Sequence, residues 1–176
     1  MRFRVIENID DYYWKQVWDI YNSNFQGYQK RSLEMQIEAM KNEDFNCLAV
    51  LEKKRVIGIV FYWDLESIRY IEHIAWNLNL KGTGYEKRII SKLCEDRIPM
   101  IIEFEKKVDD SSLERFSNYE ELGFKRNIFE HKRPCYNKEH NDKSLIVLSY
   151  PSNLIFEDYL YFDNILINEI MNYRDV

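Results

Sequence analysis

Tyr70-Ile71-Glu72-His73-Ile74-Ala75-Trp76, the link Asn77-Leu78-Asn79-Leu80, the turn Lys81-Gly82-Thr83-Gly84 and the run Tyr85-Glu86-Lys87-Arg88-Ile89-Ile90 form the stretch on which the fold turns. Ile68–Trp76 is rich in apolar and aromatic residues and reads as a central strand. After the glycines, Tyr85, Ile89, Ile90, Leu93 and Cys94 recur at helical spacing. A helix that starts at such a turn presents free backbone N–H groups, which suit a phosphate, and glycine lets the backbone approach it. Lys81, Lys87 and Arg88 add charge of the right sign. Taken alone, the same pattern also describes an ordinary strand-to-helix turn.

The upstream chain begins with an alternating strand at Arg2–Ile6. Asp10 or Asp11 can then cap a helix with Trp14, Val17, Trp18, Tyr21 and Phe25 on one face, stopping near Gly27. A polar loop, Gln26–Arg31, leads to a shorter helix capped by Ser32, with Leu33, Ile37 and Met40 expected inward. Cys47–Leu51 and Val56–Trp63, joined by Glu52-Lys53-Lys54-Arg55, read as an antiparallel hairpin.

Downstream, Met100–Glu105 follows Pro99 as a further strand. Ser111-Ser112-Leu113-Glu114 has capping-box spacing and opens a helix that ends near Leu122-Gly123. Phe124–Glu130 and Leu145–Tyr150 are expected to pair at the end of the sheet. After Pro151, Ile155, Tyr159, Phe162, Leu166 and Ile170 form one stripe of a last helix, to be covered by the domain's own sheet or by a second subunit. Interleaved helices and strands give an α/β (α+β) class with a mixed sheet, and residues 1–176 read as a single domain with 151–176 as a C-terminal helical extension.

The composition bounds the function. A formal net charge of −5 argues against general nucleic-acid binding, which needs a basic face. No apolar run approaches a membrane span, and the acidic turn after Met1 is unlike a signal peptide. The three cysteines, Cys47, Cys94 and Cys135, make no paired framework, and reduced thiols fit a cytoplasmic protein. His131, Cys135 and His140 do not complete a metal-site spacing, so no metal is expected.

The strand, glycine turn and helix resemble the acyl-CoA-binding motif of the GNAT superfamily of N-acetyltransferases, R/Q-x-x-G-x-G/A after a strand of the type E-H-x-A-V. Lys81 falls in the Arg/Gln position, Gly84 in the first required glycine position, and Glu86 where Gly or Ala is usual. Asn118-Tyr119-Glu120-Glu121-Leu122-Gly123-Phe124 is similar to that superfamily's F-Y-x-x-L-G-F helix end, with Asn118 in place of Phe. Phe61-Tyr62-Trp63, Arg133-Pro134-Cys135-Tyr136 and the helix after Tyr150-Pro151 carry a subfamily resemblance. The resemblance spans nearly the whole chain. It implies a mostly antiparallel sheet flanked by helices, acetyl-CoA as co-substrate, and an acyl acceptor that is a small-molecule or peptide amine, in a monomer or homodimer.

The resemblance also distributes roles. Ile74, Ala75 and Trp76 would meet the pantetheine arm, while Lys81, Gly82, Thr83, Gly84, Tyr85, Glu86 and Lys87 would surround the pyrophosphate. Glu72 is the candidate base, a partly buried carboxylate whose pKa is expected to rise toward a useful value. Strand alternation puts Glu72 and His73 on opposite faces unless the strand bulges. Tyr119 is the candidate acid for the departing thiolate. Glu86 brings a negative charge toward the phosphates; at ~6 Å and an effective dielectric of about 20 each like-charge pair costs roughly 3 kcal/mol. Binding without turnover, of acyl-CoA or of a protein, is therefore the alternative reading. Gln29-Lys30-Arg31 reads as a solvated loop.

Overall fold

The structure, a computed structural model, describes residues 1–80, 83–106 and 110–175, with backbone alone at Asp110, Ser111, Ser112 and Glu114. Its centre is one eight-stranded sheet: β1 (Arg2–Val5), β2 (Phe45–Glu52), β3 (Arg55–Leu65), β4 (Ile68–Trp76), β5 (Met100–Glu105), β6 (Lys125–Arg126), β7 (His131–Arg133) and β8 (Lys143–Tyr150). The order is β1-β2-β3-β4-β5-β8-β6, with β7 also paired to β8. Only β4 and β5 run parallel; every other neighbour is antiparallel.

The central strands are apolar on both sides because both faces are covered. One face packs against α1 (Trp14–Asn24), α2 (Leu33–Ala39) and α5 (Phe156–Asn168), around Tyr21, Phe61, Tyr70 and Phe162. The other packs against α3 (Tyr85–Cys94) and α4 (Asp110–Glu121), around Val60, Ile71, Ile74, Ile89 and Tyr119. Gly58 on β3 allows the close approach of α3: a Cβ there would lie 2.8 Å from the Ala75 carbonyl oxygen and 2.9 Å from Ile89 Cδ1.

Several sequence expectations are corrected in detail. Asp11 accepts from the Tyr13 N–H in a turn just before α1, and the chain leaves that helix at Phe25, before Gly27. Ser32 does cap α2, accepting from Met35 N, but the buried residues of that helix are Gln36 and Ala39, and Leu33 is exposed. Gln36 takes the innermost place, while Ile37 and Met40 are half-buried, Met40 against the core on the α1 side. Of the expected strand Phe124–Glu130 only Lys125–Arg126 pairs, as β6; β7 begins after it at His131, and between the two Asn127 turns its amide inward to Ser149 Oγ (2.9 Å). The backbone of α4 is helical from Asp110, and the capping-box side chains of Ser111, Ser112 and Glu114 lie outside the described residues.

In α5, Tyr159, Phe162 and Leu166 are buried against the sheet. Ile170 and Met171 are buried in the short 3₁₀ turn that follows, whereas Ile155 is exposed. Apart from Ile155, the apolar stripe is thus covered within the chain. No helix among the described residues is long and apolar enough to cross a membrane.

Candidate functional site

The β4–β5 ladder pairs only Arg69–Ile71 with Met100–Ile102, yet the strands continue to Trp76 and Glu105. Two parallel strands whose pairing stops partway open a wedge in the middle of the sheet. A bulge on β4 sits at its root: Phe61 faces His73 while Tyr62 faces Ile71, leaving Glu72 as the extra residue. This bulge overturns the simple alternation. Glu72 and His73 both fall on the α1 side, with His73 Nδ1 3.9 Å from Glu72 Oε2, while Ile74 packs on the α3 side.

Glu72 is not the half-exposed carboxylate that its strand position suggests. Arg31 Nη1 and Nη2 donate to its two oxygens at 2.7 and 2.5 Å, Trp63 Nε1 donates at 2.9 Å and the Tyr136 hydroxyl at 2.6 Å. Neither side chain of the Arg31–Glu72 pair touches solvent. Burial alone would raise the Glu72 pKa, but Arg31, His73 and Tyr136 favour the anion and hold it at about 2. The expected upward shift is reversed. Arg31 is buried rather than solvated, and its Nε also donates to the Tyr173 carbonyl (2.8 Å).

A second buried carboxylate, Glu103, stands beside it on β5. The Tyr70 hydroxyl donates to it at 2.6 Å, His131 Nε2 lies at 2.5 Å and Arg133 Nε at 2.9 Å. Burial pushes Glu103 up, and Arg133 with His131 and Tyr70 brings it below its ordinary value. His73 Nε2 donates to the Gln29 carbonyl (2.8 Å), and burial lowers its pKa to about 4, so the ring is neutral at pH 7. At the outer end of β5, Glu105 is only half-buried, accepting from Gln29 Nε2 at 2.7 Å and Tyr28 OH at 3.4 Å. It lines a cavity of about 300 Å³ with Tyr28, Lys106, Lys143 and Ser144.

On the opposite face the wedge meets the start of α3. Gly84 is its N-cap, at φ +74 with open space where a Cβ would be, and it leads into the unpaired N–H groups of the first turn. Lys81 and Gly82 lie outside the described residues. The Thr83 hydroxyl is bonded to the Leu80 carbonyl, Tyr85 to Glu52, and Lys87 to Glu121. Glu86 is buried. Its carboxylate is ion-paired with Arg115 Nε of α4 at 2.9 Å, so the expected like-charge contact with a phosphate is already neutralised by a neighbour. The Arg115 guanidinium lies 5.9 Å from the Trp76 ring and 5.1 Å from that of Phe104, straddling the wedge.

Tyr119 is fully buried, its ring edge-on to Phe104 and Phe124. Burial raises its pKa strongly, Glu86 adds to the rise, and Arg115 opposes it. The Trp76 carbonyl accepts from Asn24 Nδ2 at 3.1 Å, which fixes the outer end of β4 to α1.

The fold that carries this site is found in known structures. A protein assigned to the GNAT family of acetyltransferases, from Bacteroides thetaiotaomicron, is 26% identical and superposes with a TM-score of 0.89 over 97% of this chain and 98% of that one. The chain has the GNAT superfamily fold. More distant GNAT folds include a ribosomal-protein-alanine N-acetyltransferase from Brucella melitensis (15% identity, TM-score 0.60, covering 85% and 98%). An acetyltransferase from Bacillus subtilis in complex with CoA is 14% identical, with a TM-score of 0.55, covering 88% and 99%. No protein-family model matches the sequence, and no curated protein does.

Within the GNAT fold, sequence reasoning brought Glu72, Ile74, Ala75, Trp76, Gly84 and Tyr119 to the two sides of one wedge. It missed Arg31, Glu103, Glu105, Arg115 and Arg133. Glu103 and Glu105 left a visible signal: two carboxylates at period two in an otherwise apolar strand mark one charged face of a central element.

Proposed function

We propose that the protein is an acyl-CoA-dependent N-acyltransferase, moving an acetyl group directly from the thioester to an amine. The observation that carries this is the wedge between β4 and β5, which opens on one side at the glycine-capped start of α3 and on the other at a cavity containing a carboxylate. The likeness to acetyltransferase structures, one of them in complex with CoA, supports it.

The residues fit that co-substrate. The first turn of α3 after Gly84 supplies N–H groups for the pyrophosphate. The unpaired edge of Ile74–Trp76 supplies main-chain groups for the pantetheine arm and for the thioester carbonyl. As the amine nitrogen bonds to the carbonyl carbon and the C–S bond breaks, one proton leaves nitrogen and the sulfur keeps the electron pair. Glu105 is the proton acceptor in this scheme, because it is the wedge carboxylate that solvent and an amine reach. Glu72 holds the bulge in place. Tyr119 stays protonated and, with Arg115, stabilises the thiolate through hydrogen bonding and charge rather than by full proton transfer.

One observation favours a second reading. The Glu86–Arg115 pair lies across Trp76 and Phe104, where the pantetheine arm would pass. If that pair stays closed, the chain is a GNAT-fold binding module without turnover. Calorimetry with acetyl-CoA and a thiol assay for released CoA in the presence of amines separate the two. Binding with amine-dependent CoA release supports the enzyme, binding without release supports the module, and no binding at millimolar acetyl-CoA removes both acyl-CoA readings.

A further inference from the structure

Beside the β7–β8 hairpin and the C-terminal turn lies an open cavity of about 620 Å³. Lys132, Lys138, His140 and Arg174 line it, opposed by one carboxylate, Asp142. Ser144 belongs both to this cavity and to the one that holds Glu105, so the two are contiguous. The smaller one adds Lys106 and Lys143. Both volumes fall in the range of about 300–1,000 Å³ that ligand clefts occupy.

The charge distribution runs against that of the chain. The protein carries a net −5, yet five permanent cations and two carboxylates line this groove. Among the described residues, none of Lys106, Lys132, Lys138, Lys143 and Arg174 is engaged in an ion pair, whereas Arg4, Arg31, Arg69, Lys87, Arg88 and Arg115 all are. Unneutralised cations gathered in a concave surface focus a positive potential and draw anions to it. No residue of α3 or α4 lines the groove, so the donor's phosphates are not what it serves.

We infer that the acyl acceptor is an amine on a chain bearing carboxylates, with its nitrogen at Glu105 and its acidic part along Lys132, Lys138 and Arg174. This rests on the acyltransferase reading for the word acceptor, but the groove itself is a binding site with or without turnover. The same geometry disfavours polyamines, whose distal cations would meet Lys106, Lys143 and Lys132.

The test uses two fluorescein-labelled peptides, an alanine followed by three glutamates and an alanine followed by three lysines. In anisotropy titrations at low salt without acetyl-CoA, the acidic peptide is expected to bind at least about tenfold more tightly. The double variant Lys132→Glu, Lys138→Glu should erase that preference and leave acetyl-CoA affinity unchanged. Equal binding of the two peptides, or preference for the basic one, overturns the inference, as does an unchanged preference in the double variant. With acetyl-CoA present, CoA release should follow the same order. Selective binding of the acidic peptide with no CoA release would retain the groove and sink the transferase reading instead.

Discussion

Arg31 and Glu72, forty-one residues apart in sequence, meet through two hydrogen bonds of 2.7 and 2.5 Å, with neither side chain exposed. Removing one partner of such a pair leaves an uncompensated buried charge, which costs about 3–5 kcal/mol. Arg31→Met should therefore lower the urea midpoint severely. Adding Glu72→Gln to it should recover part of the loss, because the stranded anion is gone. A double variant no more stable than Arg31→Met would show that the charge is not what matters.

The acid limb of stability should have two parts. His73 has a pKa lowered from 6.5 to about 4, so the unfolded state binds its proton first. The stability this gives is complete above pH 6.5 and is lost as pH falls toward 4, on the order of 3 kcal/mol. Glu72, lowered from 4.5 to about 2, acts over the next window, with stability complete above pH 4.5 and lost toward pH 2. His73→Phe should flatten the upper part alone in urea titrations at stepped pH. An unchanged slope between pH 6.5 and 4 would assign that limb to other groups.

Catalysis should depend on the open carboxylate and not on the closed one. Glu105→Gln is expected to lower kcat by about a hundredfold or more with acetyl-CoA affinity retained, the size of a lost general base. A wild-type rate in that variant would move the proton acceptor elsewhere.

Two glycines near α3 should respond differently. Gly84→Ala meets no atom but must hold φ +74, at a cost of about 1–2 kcal/mol, and should weaken acetyl-CoA binding by disturbing the first turn. Gly58→Ala drives a methyl into the Ala75 carbonyl and Ile89, and should cost about 1–3 kcal/mol by pushing α3 off the sheet. Urea midpoints and calorimetry on both variants distinguish strain from displacement.

Deletion after Tyr150 should abolish folding rather than release a smaller folded unit. It removes Tyr159, Phe162 and Leu166 from the core and takes away the Tyr173 carbonyl that Arg31 holds. A soluble truncated chain with an unchanged thermal midpoint would contradict this.

The order of elements was legible because each announces itself locally: alternation or apolar runs for β1–β5, a glycine at the head of α3, a long stripe on α5. The buried charges were not. Arg31 lies in a run of polar residues that reads as a solvated loop, and only contacts from β3, β4 and the Tyr136 segment show that it is enclosed. The bulge was hidden for a different reason. Glu72 and His73 are both polar, so neither declares which face it belongs to, and alternation counted from Tyr70 gives no warning of an extra residue. Arg115 and Glu86 are separated by 29 residues, and their pairing depends on how α4 lies against α3.

The extra residue on β4 also acts as a shift of reading frame. A strand is read in twos, and from His73 to Trp76 every side chain faces the opposite way from the one that counting from Tyr70 would give. Straightening the bulge without shortening the chain would send His73 among Ile89 and Leu93 and Ile74 among the ion pairs. Excising Glu72 alone would restore a plain ladder with Ile71, His73, Ile74 and Ala75 all on their present sides. Insertions and deletions at this point are therefore unequal: the sheet's addressing tolerates the loss of this one letter and no neighbouring gain, although Arg31 would then be left facing the gap.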